Sequence, residues 1–210
     1  MRIAVFGSTG KVGRLLVALA VAEGHDVTAF ARDPRKLADL GGSRLSVVQG
    51  DLSDRESVGR AVAGADAVVN VMGPGARPPG TRLSEGVRTI ADEMQHAGVR
   101  RLVSLATASV PDPEDRFDLR STLLVWAIRL IFRGAYDEIR RIGDVVRASD
   151  TDWTLVRIGL LDEAALKRVR VGHYGRGEVG LYISRRSLAR FMLDRATAGD
   201  FVREAPAISN

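Results

Sequence analysis

Three glycines spaced three residues apart, Gly7, Gly10 and Gly13, give the clearest chemical signal in this 210-residue sequence. They follow the apolar run Ile3–Phe6 and precede a helical pattern that begins at Val12. In a strand–turn–helix unit, the first glycine permits a tight turn, the second lets the backbone approach a phosphate, and the third lets the helix pack on the strand. Backbone N–H groups and the helix dipole then attract a pyrophosphate, although a plain structural turn is the alternative interpretation. The residues predicted to bind a dinucleotide are Gly7, Ser8, Thr9, Gly10, Lys11, Val12 and Gly13.

The residue that ends the second apolar run indicates which dinucleotide binds. An NAD site has Asp or Glu about 20 residues after the glycine motif, where the carboxylate binds the ribose 2′-hydroxyl. The run Val27–Ala31 ends instead in Arg32, whose guanidinium suits the 2′-phosphate of NADP, and Lys11 could supply a second cation. Asp33 could act as the NAD-type acid, but the following Pro34 favours a helix N-cap at this position. We therefore predict that NADP(H) is preferred over NAD(H).

Short apolar runs alternate with helical patterns, the order typical of a parallel sheet covered by helices. The apolarity of these runs is continuous, as in strands buried on both faces. The predicted strands are Ile3–Phe6, Val27–Ala31, Leu45–Gln49, Ala67–Val71, Leu102–Ala106, Thr154–Ile158 and Leu181–Ser184. The predicted helices are Val12–Glu23, Arg35–Leu40, Arg55–Val62, Glu85–Ala97, Tyr136–Ala148 and Arg185–Ala196. Ser53 and Glu56 have the spacing of a capping box. We predict an α/β fold with three layers, a doubly wound, mostly parallel Rossmann sheet, in one domain over residues 1–210.

Three segments interrupt this alternation after predicted strands, where open α/β sheets bind their ligands: residues 74–83, 110–132 and 159–182. The first is rich in proline and glycine, the second contains the apolar run Leu119–Phe132, and the third is rich in glycine. We expect them to form a small substrate-side extension. Its candidate flat, apolar lid consists of Trp126, Phe132 and Tyr174. Packing of a Leu123–Phe132 helix on the core or on a second subunit is the alternative.

Together these motifs resemble the NmrA-like, NAD(P)H-binding group of atypical short-chain dehydrogenases/reductases, which includes biliverdin reductase B (flavin reductase). The matching segments, spread over almost the whole chain, are Gly7–Gly13, Phe30–Pro34, Gly50–Leu52, Val68–Gly73, Ala148–Ser149, Asp152–Arg157, Ile183–Ser184 and Leu188–Leu193. The resemblance implies contacts with the adenine, the ribose and the nicotinamide. By this resemblance, Asp51 and Leu52 are expected at the adenine, Val71, Met72 and Gly73 at the ribose, and Ala106 and Thr107 at the nicotinamide.

The resemblance also indicates which residues are candidates for a catalytic acid. Typical short-chain dehydrogenases use a Ser–Tyr–Lys set, in which the tyrosine gives a proton to the developing alkoxide and the lysine lowers the pKa of the tyrosine. Thr107 is the best match for the serine, with Ser109 as the alternative. Tyr136 and Arg140 match the remaining pair, because residues i and i+4 share a helix face. The long interval before Tyr136 departs from the family pattern, and the family's basic position falls at Ile139. Hydride transfer to a flavin, quinone or tetrapyrrole can instead rely on proximity, with water as the proton source.

The composition excludes other kinds of site. The chain has no cysteine, which excludes disulfides and thiolate-bound metals, and its three histidines are scattered, so we expect no metal. The net charge of +5 divides into +3 over residues 1–105 and +2 over residues 106–210, without the cluster that nucleic-acid binding requires. No apolar stretch approaches the roughly 20 residues of a membrane span, and the N-terminus lacks a signal-peptide pattern. We expect a cytoplasmic monomer or homodimer with a small-molecule substrate, and neither nucleic acid nor membrane as a partner.

Three functional hypotheses fit these patterns. The first is an NADPH-dependent oxidoreductase that transfers hydride to a planar or carbonyl acceptor, such as a flavin, quinone, tetrapyrrole or ketone. The second is a non-catalytic NADP sensor of the NmrA type, which the incomplete Ser–Tyr–Lys set favours. The third is an NAD(P)-dependent epimerase or dehydratase, which the short region after the sixth strand disfavours because sugar-nucleotide epimerases append a larger substrate domain. The sequence favours the reductase, although fold resemblance alone does not determine function.

Overall fold

The computed structural model describes residues 1–73 and 83–210, and an eight-stranded sheet lies at its centre. Its strands are β1 Arg2–Phe6, β2 Asp26–Ala31, β3 Leu45–Gln49, β4 Ala67–Asn70, β5 Arg101–Thr107, β6 Asp152–Ile158, β8 Arg170–Gly172 and β10 Ala207–Ser209. Two further strands, β7 Leu160–Asp162 and β9 Tyr182–Ser184, pair with each other in a separate small sheet. The order β3-β2-β1-β4-β5-β6-β10-β8 is parallel except for the β10–β8 pair. The chain therefore moves outward in both directions from β1, and a crevice forms between the carboxyl ends of β1 and β4.

Helices cover both faces of this sheet. They are α1 Lys11–Ala22, α2 Arg55–Val62, α3 Leu83–His96, α4 Leu119–Ile131, α5 Arg133–Ala148 and α6 Arg185–Ala198, with a 3₁₀ helix at Pro34–Leu40. Leu16 of α1 and Met192 of α6 belong to the core on one face. Val58 of α2, Ile90 of α3 and Ile142 of α5 belong to the core on the other. The predicted three-layer, doubly wound α/β fold is confirmed.

Strand β1 shows why the apolar runs are continuous. Its residues Ile3, Ala4, Val5 and Phe6 are each at most 1% exposed. Ile3 and Val5 pack in the core beneath α1 and α6, whereas Ala4 and Phe6 pack in the opposite core, because alternate side chains of a strand point to opposite faces. The buried part of β1 is therefore apolar on both faces, and the glycine turn follows it directly.

The start of α2 differs from the sequence prediction. Asp54, rather than Ser53, is the N-cap residue, and its carboxylate accepts a hydrogen bond from the Glu56 backbone N–H at 3.1 Å. The Ser53 hydroxyl instead donates to Asp51 at 2.8 Å. The predicted capping box is therefore wrong, because the neighbouring carboxylate takes the capping position and Asp51 takes the serine. This arrangement matters for the site, since Asp51 lies at its edge.

Helix α4 is far more exposed than its apolar sequence suggests. Leu123, Trp126 and Leu130 are 55%, 61% and 67% exposed, and Ser121 is its only buried residue. The alternative that this helix packs on the core is wrong, because its neighbour is the adjacent helix α5 rather than the sheet. None of the helices within the two described ranges has the length and apolarity that crossing a membrane requires.

Candidate functional site

A cleft of about 610 Å³ opens at the carboxyl ends of β1, β2 and β4. Cofactor and small-molecule sites commonly have volumes of about 300–1,000 Å³. Most residues predicted to bind the cofactor line it: Gly7, Thr9, Gly10, Lys11, Val12, Gly13, Arg32, Asp51, Leu52, Val71, Met72 and Gly73. The lining also contains residues that were not among those predicted to bind the cofactor: Phe30, Ala31, Leu83, Leu105, Leu161 and Arg185. The topology thus brings separate sequence segments to one crevice.

The glycine turn forms the floor of this cleft and accepts no side chain at two of its positions. Gly7 has φ +82°, and a Cβ atom there would lie 2.9 Å from the Met72 backbone nitrogen. A Cβ atom on Gly13 would lie 2.1 Å from the Gly7 carbonyl oxygen. The helix start therefore packs directly against the turn, as the third-glycine role requires. The Ser8 hydroxyl is buried and donates to the Phe30 carbonyl at 2.7 Å, so this side chain ties the turn to β2 instead of lining the cleft.

The opposite wall, residues 71–73, is positioned by a buried amide. Asn70 ends β4 with no exposed surface, and its side-chain oxygen accepts a hydrogen bond from the Met72 N–H at 3.0 Å. Its side-chain nitrogen donates to the Ser104 hydroxyl on β5 at 2.9 Å. Asn70 therefore acts on the cleft by positioning the backbone next to Gly7. In the sequence, the feature that could have indicated this positioning role is an amide residue at the end of an otherwise apolar strand.

Arg32 brings an unpaired positive charge to the end of the cleft that β2 forms. It follows β2 directly and is exposed, and its guanidinium has no ion pair or hydrogen bond within the described ranges. Asp51 is the acid of the described lining, and it accepts hydrogen bonds from the Ser53 N–H at 3.1 Å and from the Ser53 hydroxyl. These hydrogen bonds, with a smaller contribution from Arg32, hold the pKa of Asp51 below its ordinary value. The carboxylate is thus ionised at neutral pH while Arg32 remains available to an anion.

Asp33 does not take the position of an NAD-type acid. Its side chain accepts hydrogen bonds from the Arg35 backbone N–H at 3.2 Å and from Arg35 Nε at 2.9 Å. Pro34 follows as the first residue of the 3₁₀ helix, so the predicted N-cap is confirmed. The hydrogen bond with the Arg35 side chain lowers the pKa of Asp33. The acid that could have indicated NAD is therefore engaged in local structure.

Lys11 points away from Arg32. Its amine donates to Glu163 at 3.0 Å, and the same carboxylate oxygen lies 2.7 Å from Arg185 Nη1. Glu163 follows β7, and Arg185 opens α6. The use of Lys11 as a second cation for a 2′-phosphate stays a prediction, because its amine lies on the β7–α6 side of the cleft.

The candidate catalytic residues are placed apart from the cleft lining. Thr107 ends β5 on the same face as Leu105, two residues earlier, which lines the cleft. The Thr107 hydroxyl accepts a hydrogen bond from the Ser109 N–H at 3.3 Å, and the buried Ser109 hydroxyl has no partner among the described residues. The Tyr136 hydroxyl, on α5, accepts a hydrogen bond from Arg140 at 3.3 Å. The structure joins Tyr136 to Arg140 as the helical spacing predicts, but among the described residues neither side chain forms a hydrogen bond with Thr107.

The substrate-side segments are tied together by a buried arginine. Arg157 on β6 has no exposed surface; its Nε donates to the Ala205 carbonyl at 2.6 Å, and its Nη2 lies 2.9 Å from Asp115. The Tyr174 N–H donates to the same carboxylate at 3.0 Å, and Arg157 lies 5.4 Å from the Tyr174 ring centroid. Burial raises the pKa of the Tyr174 hydroxyl. This network holds loop 110–118 and the segment around Tyr174 against the end of β6.

The predicted aromatic lid is wrong. Tyr174 is only 5% exposed beneath Arg157, whereas Trp126 and Phe132 are 61% and 50% exposed. The charged network draws Tyr174 inward, so the three rings do not share a surface. The predicted substrate-side residues 74–82 lie outside the described part of the chain, while Leu83 lines the cleft. Within the described ranges, no group of three or more His, Asp or Glu side chains is arranged to hold a metal ion.

Comparison with known proteins gives consistent matches. Residues 7–198 match the family described as NAD(P)H-binding. A (4-alkanoyl-5-oxo-2,5-dihydrofuran-3-yl)methyl phosphate reductase of Streptomyces griseus is 34% identical over 157 residues, covering 74% of this chain and 46% of the relative. A 3-diazoavenalumate denitrifying reductase of a Streptomyces species is 31% identical over 175 residues, covering 77% and 56%. The chain therefore spans about half the length of these curated relatives.

Solved structures share the fold over the whole chain. A short-chain dehydrogenase/reductase from Veillonella parvula, solved in complex with NADP, superposes with a TM-score of 0.83 at 16% identity, covering 100% of this chain and 94% of that one. The anaerobilin reductase ChuY of Escherichia coli O157:H7 has a TM-score of 0.79 at 23% identity, covering 100% and 97%. At these identities the likeness shows the fold alone.

Proposed function

The chain is a member of the NAD(P)H-binding family, and on that premise we propose that it is an NADPH-dependent reductase of a small planar or carbonyl acceptor. Flavins, quinones, tetrapyrroles and ketones are the acceptor classes we consider. The observation that carries the proposal is the unpaired Arg32 in a cleft whose floor is the Gly7–Gly13 turn. A relative that is itself named a reductase supports the oxidoreductase class.

The residues present fit a dinucleotide. The turn has no room for Cβ atoms at Gly7 and Gly13. The backbone N–H groups at the start of α1, next to the turn, suit a pyrophosphate. We assign Asp51 and Leu52 to the adenine, residues 71–73 to the ribose, and Arg32 to the 2′-phosphate. When bound, the reduced nicotinamide supplies a hydride. Thr107, just beyond Leu105 on the cleft face of β5, is our candidate for the group beside it.

The proton has no evident side-chain donor in the described lining. The ionisable side chains there are Lys11, Arg32, Asp51 and Arg185, and the described lining contains no tyrosine or histidine, the residues that most often protonate an alkoxide. The Tyr136 hydroxyl is engaged with Arg140 on α5. These observations favour acceptors that can take their proton from water, namely flavins, quinones or tetrapyrroles.

The same observation supports a second candidate function. A protein that binds NADP but presents no proton donor could act as a sensor, in which the cofactor controls a surface instead of a reaction. The epimerase/dehydratase alternative has less support, because it requires acid–base groups at the substrate that the described lining does not provide. The reductase and the sensor differ in one measurable property, turnover.

The deciding experiment is NADPH oxidation with a panel of flavins, quinones, tetrapyrroles and ketones. We expect turnover of at least one planar acceptor, a clear loss in Thr107→Ala, and activity within about twofold of wild type in Tyr136→Phe. Saturable NADPH binding without turnover of any acceptor would contradict the reductase and favour the sensor. Loss of activity in Tyr136→Phe, with binding intact, would identify Tyr136 as the proton donor after all.

A further inference from the structure

Glu163 holds two cations that belong to the cleft lining. Its carboxylate lies 3.0 Å from the Lys11 amine and 2.7 Å from Arg185, and both partners line the cleft. We propose that Lys11 and Arg185 bind the pyrophosphate of the dinucleotide, and that Glu163 competes with the pyrophosphate for both cations. This inference rests on the proposed dinucleotide function and adds Arg185 and Glu163 to it.

The positions of the two cations favour a phosphate ligand. Lys11 is the first residue of α1 and Arg185 the first residue of α6, and these two helices pack side by side on one face of the sheet. The positive ends of two helix dipoles and two cationic side chains therefore converge on the same part of the cleft. Arginine and lysine at helix N-termini give the charge and the donors that a bridging diphosphate requires.

Glu163 is held in place by its own segment. The Ala164 N–H donates to the Asp162 carboxylate at 2.9 Å, and the Ser184 hydroxyl donates to the Ala165 carbonyl at 3.2 Å. The segment is thereby fixed to the start of α6, next to Arg185. The hydrogen bond from Lys11 lowers the pKa of Glu163, so the carboxylate is ionised at neutral pH. Its side chain is 66% exposed, so it can move aside without disturbing the core.

The geometry separates this cation pair from the 2′-phosphate site. Arg32 directly follows β2, on one side of β1, whereas Lys11 and Arg185 meet Glu163 beside β7 and β9. A pyrophosphate is common to NADH and NADPH, whereas the 2′-phosphate is present in NADPH alone. Changes at Glu163 or Arg185 must therefore alter the affinities for both dinucleotides by the same factor, unlike changes at Arg32.

The test is calorimetric titration of wild type, Glu163→Gln, Arg185→Gln and a control with NADPH, NADH and inorganic pyrophosphate. Glu163→Gln should bind all three ligands about three- to tenfold more tightly, because the competing charge is gone. Arg185→Gln should bind all three at least that much more weakly. The control is Glu114→Gln, which changes the net charge equally at a side chain of similar exposure, 60%, that pairs with Arg176 outside the cleft lining.

The outcomes distinguish this inference from the proposed function. If wild type binds no dinucleotide but Glu163→Gln still gains affinity for pyrophosphate, the proposed function fails and the competing-carboxylate assignment stands. If wild type binds NADPH and Glu163→Gln binds it no better, the inference is overturned. It is equally overturned if Glu114→Gln gains the same affinity, or if Arg185→Gln binds pyrophosphate as wild type does.

Discussion

Arg32 is the side chain on which the cofactor preference depends. Because its guanidinium has no partner within the described ranges, it can bind a 2′-phosphate without first breaking an ion pair. We predict that Arg32→Ala weakens NADPH binding by about 1.5–3 kcal/mol, the contribution of a hydrogen bond to a charged group. NADH binding should change little, and calorimetric titration with both cofactors measures the difference.

Arg35 provides the matched control for this prediction. It lies three residues away with a 90% exposed side chain that pairs with Asp33, and it is not part of the cleft lining. Arg35→Ala should leave both affinities within about 0.5 kcal/mol of wild type. Equal losses of NADPH and NADH affinity in Arg32→Ala would contradict the assignment of the 2′-phosphate.

Gly13 determines how closely α1 approaches the turn. In Gly13→Ala the new Cβ would lie 2.1 Å from the Gly7 carbonyl oxygen, so the helix must shift. We expect the free energy of unfolding to fall by about 1–3 kcal/mol and dinucleotide affinity to fall with it. Urea unfolding and cofactor titration measure the two effects.

Gly134, on α5, is the corresponding control. A Cβ atom there meets nothing within 4 Å among the described atoms, so Gly134→Ala should be neutral or stabilising by up to about 1 kcal/mol. If Gly13→Ala were as well tolerated as Gly134→Ala, the close-packing role of the third glycine would be wrong.

The site residues differ in how visible they are in the sequence. Gly7 and Gly13 are predictable because backbone geometry permits glycine alone and the spacing is local. Arg32 is predictable because its position is set by the end of a strand. Asn70 and Arg185 are not, because each acts through contacts between residues distant in the chain: Asn70 with Ser104, and Arg185 with Glu163.

Helices differ in how strongly the core stabilises them. Helix α3 buries Val87, Ile90 and Met94, whereas α4 buries only Ser121. Local opening is easiest where few apolar contacts are lost. We therefore predict that the amide hydrogens of α4 exchange faster than those of α3 in a hydrogen-exchange mass spectrometry experiment. Equal protection of the two helices in a monomeric sample would show that α4 is stabilised by contacts that its exposure does not indicate.

Helices and strands were predictable where their own sequence shows which of their residues are buried. Strand β1 is apolar at each of its buried positions, Ile3 to Phe6, and the predicted bounds of α1, α2 and α6 differ from the observed ones by at most two residues. Strands β7, β8 and β10 have three residues each, too few for a periodic pattern, and form by pairing with distant segments. The apolar sequence of α4 did not indicate its exposure, because hydrophobicity alone does not specify what a helix packs against.

The Asp115–Arg157 pair connects the substrate-side loops to the sheet and makes the stability of the whole protein pH-dependent. Burial alone would raise the pKa of Asp115, but the hydrogen bonds and charge of Arg157 lower it overall. A lowered pKa means that the carboxylate stabilises the fold above the unfolded-state value near 4, and that this stabilisation is lost as the pH falls through the folded-state pKa. We predict that Asp115→Asn lowers the free energy of unfolding by about 3 kcal/mol at pH 7, because it leaves the Arg157 guanidinium buried without its acid.

The difference from wild type should shrink as the pH falls from about 4, the unfolded-state value, through the lowered folded-state pKa at which Asp115 in the folded protein becomes protonated. Urea unfolding at neutral and acidic pH measures this change. Asp150, which is 86% exposed and lies 3.8 Å from Arg203, is the control, and Asp150→Asn should change stability by less than about 0.5 kcal/mol. A loss in Asp115→Asn that is the same at every pH would contradict the ionised pair.

The preference of the intact protein for NADPH over NADH depends on Arg32 and can be measured by direct binding. Titration of the wild-type chain with NADPH and NADH, followed by calorimetry, should show saturable binding of NADPH at one site per chain. We predict that NADPH binds about tenfold or more tightly than NADH, because Arg32 interacts with the 2′-phosphate alone. Absence of saturable binding by either dinucleotide, or tighter binding of NADH, would contradict it.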